Sequence, residues 1–179
     1  MDQNRSCQVI SSLVINRASE AIKYYKNVFG AKETYHVEQS GFIIHSEIVI
    51  GCTTIMITDE IPAMNIKSAT TLGDTPIILY AYVDDVDETF ERAIKFGGKI
   101  IFPVENQFYG DRMGAFIDPY GFKWNVAKNV RNVSMEELMK TMPDMTKPMI
   151  PMESRSDDFY KKKLFKYKTK YEELKNAAV

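Results

Sequence analysis

The stretch YGDRMGAFIDPYGFKWN, Tyr109 to Asn125, reads as two strands joined by a turn. Asp118-Pro119-Tyr120-Gly121 supplies the turn chemistry, because aspartate bonds nearby backbone, proline presets φ and glycine accepts positive φ. Successive strand side chains point to opposite faces, so a pairing sorts every residue. With Ile117 opposite Phe122, one face carries Met113, Ala115, Ile117, Phe122, Trp124 and Val126. The other carries Arg112, Gly114, Phe116, Lys123, Asn125 and Ala127. The first set is apolar, as a face under a helix must be, and the second is left for solvent or a ligand. A bulge at Gly110 or Gly114 would shift Arg112 by one residue.

An earlier stretch has the same design. HSEIVIGCTTIMITDE, His45 to Glu60, holds two strand-like runs around the tight turn Gly51-Cys52. That turn sets Ile50 against Thr53, and hence Glu47 against Met56 and His45 against Thr58. Ile44, Ser46, Ile48, Ile50, Thr53, Ile55 and Ile57 then form the helix-covered face, and His45, Glu47, Val49, Thr54, Met56 and Thr58 the open one.

Working outward from the two hairpins, each is preceded by a strand, a helix and a further strand. Cys7 to Ile15 reads as a strand, and a helix opened by Asn16 and Ser19 carries Ala18, Ile22, Tyr25 and Phe29 at helical spacing before Gly30. Strands over Lys32–Val37, Phe42–Ile50 and Thr53–Thr58 complete the unit. Thr75 to Val83 is again a strand, followed by a helix capped by Asp84 or Asp85, with Val86, Phe90, Ala93 and Ile94 inside it and Gly97-Gly98 at its end. Strands at Lys99–Phe102, Phe108–Ile117 and Phe122–Ala127 follow. Ile15 and Val83, Ile22 and Phe90, and Gly30 and Gly98 are each 68 residues apart. The chain is thus α+β, with two βαβββ modules over 7–58 and 75–127 and a linker over 59–74.

With AIKYYKNVFGAK, YVDDVDETFERAIKFGGK and NVSMEELMK, the two hairpins resemble the glyoxalase/bleomycin-resistance/dioxygenase superfamily, also called vicinal oxygen chelate, and most of all its PhnB-like branch. The likeness covers about Cys7 to Lys140. It implies that both modules share a curved mixed sheet around a cleft, helices outside, with a small organic ligand between the modules and homodimerisation. Metal-dependent members draw two ligands from the first strands of the modules and two from the last. That pattern falls on Ile10, Ile78, Met56 and Asn125 here, where imidazole, carboxylate or thiolate would be needed. The resemblance therefore implies no metal and no other cofactor, and a metal-independent binding protein.

Against that reading stands an enzyme, a lyase, isomerase or dioxygenase-like protein, using His45 and Glu47. An imidazole beside a carboxylate suits acid–base work or a non-standard metal site, and a similar His-x-Glu occurs in many PhnB-like proteins. The bland reading of His45 is a hydrogen-bonded structural group. Tyr80 and Tyr82 share a face with Ile78 and offer an apolar floor for a planar or aliphatic ligand, although aromatic packing is the commoner use. Arg112 and Lys123 add positive charge, and arginine holds carboxylate or phosphate bidentately. A salt bridge to Glu47 or Asp111 is the competing reading of Arg112. Gly110-Asp111 reads as turn chemistry. The candidate ligand-binding residues are Met56, Ile78, Tyr80, Tyr82, Arg112, Lys123 and Asn125.

Composition narrows the classes. In 179 residues, 23 Lys and Arg face 24 Asp and Glu, so no overall field attracts nucleic acid, and no apolar run suits membrane insertion. Two cysteines, Cys7 and Cys52, with no signal-peptide pattern, point to a reducing cytoplasmic setting. The glyoxalase-like domain spans 1–130 and a short helix and linker 131–152, with Ser134 and Glu137 forming a capping box. Over 153–179, Tyr160, Leu164, Tyr167, Tyr171 and Leu174 make a heptad-like stripe in a basic segment of eight Lys and Arg against five Asp and Glu. This C-terminal helical extension fits docking on its own domain or on a second copy, ahead of an acidic partner or a membrane surface.

Overall fold

Each module folds into its own four-stranded mixed sheet, in the order β1-β4-β3-β2 and β5-β8-β7-β6. The computed structural model describes residues 9–143. Module one comprises β1 (Ser11–Ile15), α1 (Ala18–Phe29), β2 (Lys32–Gln39), β3 (Phe42–Ile50) and β4 (Thr53–Asp59). A 3₁₀ turn (Pro62–Met64) and α2 (Ala69–Leu72) connect it to β5 (Ile78–Tyr82), α3 (Val86–Lys95), β6 (Lys99–Asn106), β7 (Asp111–Ile117) and β8 (Lys123–Asn129). The short α4 (Met135–Thr141) ends the described chain, and its Ser134 hydroxyl accepts the Glu137 N–H. The remainder of the expected linker and the basic 153–179 segment lie outside the described residues. First and last strands of each module run parallel, because a helix carries the chain across one face before the antiparallel meander begins.

Carboxylates cap both long helices, and the buried Asp59 also ties α1 to the strands. Asp59, closing β4, accepts the Ala18 N–H at 2.9 Å and the Ile43 N–H at 2.8 Å, so the last strand caps the first helix. Asp85 caps α3 through the Glu88 N–H at 2.9 Å, which selects it over Asp84.

Module one keeps the register that its two-residue turn dictates, with Ile50 opposite Thr53 and Glu47 opposite Met56. One local correction is needed. Val37 pairs with His45 while Glu38 pairs with Ile43, so β3 bulges at Ile44 and the faces exchange. Ile43, not Ile44, is buried under the helix, and Ile44 is exposed.

Module two departs further. Ile117 pairs with Lys123, not Phe122, because the Asp118 carboxylate gathers the N–H groups of Tyr120 and Phe122, both at 2.9 Å, and holds Phe122 in the loop. The slip leaves β8 as expected and inverts β7. Gly114 and Phe116 now lie under α3, where a Cβ on Gly114 would stand 2.8 Å from the Phe90 ring. Asp111, Met113, Ala115 and Ile117 take the open face.

The modules meet through their helices. Tyr24 donates to the Ala93 carbonyl at 3.3 Å, Arg92 donates to the Val28 carbonyl at 3.1 Å, and the Phe29 and Trp124 rings lie 4.5 Å apart. Tyr25 donates to Asp118 at 2.8 Å, as does the Trp124 indole at 2.9 Å. Helix α1 thus buries both Ile22 and Val28 and the adjacent pair Tyr24 and Tyr25, a wider arc than one sheet requires. The α+β class and both modules stand as read. Within the chain, α1 and α3 meet between the modules, and the helix-covered faces of both sheets share one core from which the open faces turn away.

Candidate functional site

On the open face of sheet one, Glu47 is buried although it points away from the helix. His45 lies beside it, with Nε2 3.1 Å from Glu47 Oε1, and the Tyr35 ring is 5.7 Å from the imidazole. An ionised Glu47 can only accept, which makes Nε2 the donor. Met56 follows across the ladder from Glu47, with Ser12 of β1 on its other side.

On the open face of sheet two, Ile78, Tyr80 and Tyr82 alternate along the edge strand with 56%, 45% and 69% exposure. The two tyrosine rings are 5.3 Å apart. Both hydroxyls are directed at Asp111 Oδ2, Tyr82 at 3.1 Å and Tyr80 at 3.5 Å, while Asn129 donates to Oδ1 at 3.1 Å. The hydrogen bond to Asp111, and then the charge of that carboxylate, push the Tyr82 phenol above its ordinary value. Asn125 pairs with Tyr80 on one side and Ala115 on the other. Lys123 closes the far end, donating to the Thr75 carbonyl at 3.2 Å and pairing with Asp74 at 2.7 Å.

Arg112 belongs to neither open face. It forks onto Asp87 of α3, Nε to Oδ2 at 2.8 Å and Nη2 to Oδ1 at 2.5 Å, and adds the Asn106 side chain at 3.1 Å. The expected cationic cleft residue is a strut between sheet and helix, because the register slip turned it inward. Its neighbour Asp111, read as turn chemistry, stands on the open face in its place. Alternation held no signal for this, since Asp111, Met113, Ala115 and Ile117 share a face in either register.

The metal that some relatives of this fold bind finds no donor set here. Register brings Ser12 beside Met56 and Tyr80 beside Asn125, two residues along from Ile10 and Ile78. Thioether, amide, hydroxyl and phenol replace the imidazoles and carboxylates that a divalent ion needs. Among the described residues, no group of three or more His, Cys, Asp or Glu is placed to hold a metal.

Paired βαβββ modules with polar groups on the open sheet faces define a vicinal-oxygen-chelate type of protein. Residues 8–126 match the Glyoxalase/Bleomycin resistance protein/Dioxygenase superfamily, and the chain belongs to that family. An uncharacterized protein of Mycobacterium bovis is 36% identical over 134 residues, covering 73% of this chain and 88% of its own. TioX from Micromonospora sp. ML1 matches with a TM-score of 0.56 and 22% identity, over 70% of this chain and all of that one. A Bacillus cereus PhnB protein, titled a putative 3-demethylubiquinone-9 3-methyltransferase, matches with a TM-score of 0.55 and 18% identity, over 66% of this chain and 97% of its own. These structural likenesses concern the fold. No helix among the described residues is long and apolar enough to cross a membrane.

Proposed function

We propose that the protein binds a small organic ligand, without a metal, in a cleft that two copies complete: the open face of sheet one from one copy against the open face of sheet two from the other. The observation that carries this reading is the back-to-back arrangement, which leaves Ile44, Ile78, Tyr80 and Tyr82 exposed on faces that carry polar side chains. Exposed apolar surface rimmed by polar groups is where a partner or a ligand belongs. His45, Glu47 and Met56 would line one wall, and Ile78, Tyr80, Tyr82, Lys123 and Asn125 the other.

Sedimentation equilibrium of the full chain tests the assembly. The expected mass is twice the 20.6 kDa of one chain, and Ile78→Lys, which puts a charge in the shared wall, should give monomers that no longer bind ligand. A wild-type monomer that still binds ligand through these residues would overturn the shared cleft.

One observation favours a second reading. The His45–Glu47 contact at 3.1 Å, with Glu47 buried, is suited to general acid–base catalysis. If the cleft turns over a substrate, His45→Ala and Glu47→Gln should each lose that turnover while retaining binding. Full rates in both would remove the enzyme reading.

A further inference from the structure

The charge on the open face of sheet two is distributed unevenly along its strands. Asp111 is 6% exposed and takes its hydrogen bonds from neutral donors, Tyr80, Tyr82 and Asn129. Among the described residues it forms no ion pair. The carboxylate thus stands beside the two tyrosine rings with neutral hydroxyl and amide partners. Hydroxyl groups that donate to an anion also push electron density back into their rings, which deepens the negative face that attracts cations.

The positive groups nearest to Asp111 are engaged elsewhere: Lys128, beside Asn129, donates to the Asp84 carbonyl, and Arg131 pairs with Glu137. Arg112 is turned to the other face and bound to Asp87. Lys99 and Lys123 pair with Ile117, six residues from Asp111 along β7, a distance of about 20 Å at strand spacing. Lys123 is in addition held by Asp74. Along β5 the Lys123 row lies about 13 Å from Tyr82, and the Asp74 carboxylate compensates the charge of that lysine.

We propose that the ligand is an organic cation, an aromatic or aliphatic molecule whose ammonium or quaternary ammonium group rests on the Tyr80 and Tyr82 rings against Asp111. The inference rests on the cleft reading above and names its substrate class. The pair of rings at 5.3 Å offers two faces to such a group, and Asp111 supplies the formal countercharge. Asn125, one row along from Tyr82, is left for a polar group on the rest of the molecule.

Isothermal titration of the full chain with three probes of one size tests this: benzyltrimethylammonium, benzyl alcohol and phenylacetate. The cation should bind at least about tenfold more tightly than the alcohol, and phenylacetate more weakly still. Tyr82→Leu, at a largely exposed position, should remove most of that preference, and Asp111→Asn should abolish it. If Asp111→Asn fails to fold, the probe ranking and the Tyr82 variant decide. Equal binding of all three probes on this face would overturn the cation proposal and keep the cleft. Absence of binding by all three at millimolar concentration would overturn both.

Discussion

At the scale of single residues, the decisive pair is Asp111 and Arg112. They are neighbours on β7 and so must face opposite ways, and the register of one loop decides which charge reaches the open face. The fork from Arg112 to Asp87 predicts that Arg112→Ala lowers stability by about 2 kcal/mol, the size expected for charge-assisted hydrogen bonds in a half-buried setting. Urea denaturation followed by the emission of Trp124, the only tryptophan and a buried one, would measure it. Probe binding should be unchanged, and its loss would contradict the assignment of this side chain to the helix side. The alternating pattern could not have chosen the register, because Met113, Ala115 and Ile117 are as apolar as Gly114 and Phe116, so either face of β7 could cover a helix. Glu47 against Met56 was legible because the two-residue turn at Gly51-Cys52 leaves no such freedom. The Asp118 carboxylate, which draws Phe122 into the other loop, acts through geometry that spacing does not carry.

At the scale of elements, α1 is held to its sheet by a polar network. Lys26 donates to Glu33 at 2.6 Å, Ser46 donates to the same carboxylate at 3.0 Å, and the His36 ring nitrogen lies 2.7 Å from it. Burial pushes the Glu33 carboxyl up, but the hydrogen bonds from Lys26, His36 and Ser46 outweigh it and hold it below its ordinary value of 4.5. The Glu33 hydrogen bond raises His36 above 6.5. The lowered acid contributes stability above its ordinary value and loses it as pH falls through the folded value. The raised base contributes below its ordinary value and loses it as pH rises through the folded one. The network should therefore be strongest between about pH 4.5 and 6.5. The stability gap between wild type and His36→Ala should be wider at pH 5.5 than at pH 8.5, by less than about 1 kcal/mol because the imidazole is well exposed. Thermal melts at the two pH values would read it, and a gap that does not narrow at pH 8.5 would refute the linkage. The existence of α1 and its apolar stripe was legible from period alone. Its second contact, through Tyr24 to Ala93 and Tyr25 to Asp118, was not, because a stripe reports what a helix buries and not how many partners bury it.

At the scale of the whole molecule, the repeat gave both modules and their element order, whereas which faces of them meet had to come from the packing. Phe29, Trp124 and Phe116 settle it by bringing α1 of module one onto the helix-covered face of sheet two. If paired copies bind the ligand, a closed two-fold assembly has two clefts, and each takes one wall from each chain. The back-to-back placement of the half-sites then has a genetic consequence, intersubunit complementation. Where alterations at Met56 and at Asp111 each abolish binding alone, a mixed pair of the two variants would gather both lesions in one cleft and leave the other intact. Such a hybrid should take up one ligand with the affinity of the unaltered protein, which titration of tagged and separated mixed pairs would count. Two inactive versions of the chain would thereby make half of a working protein.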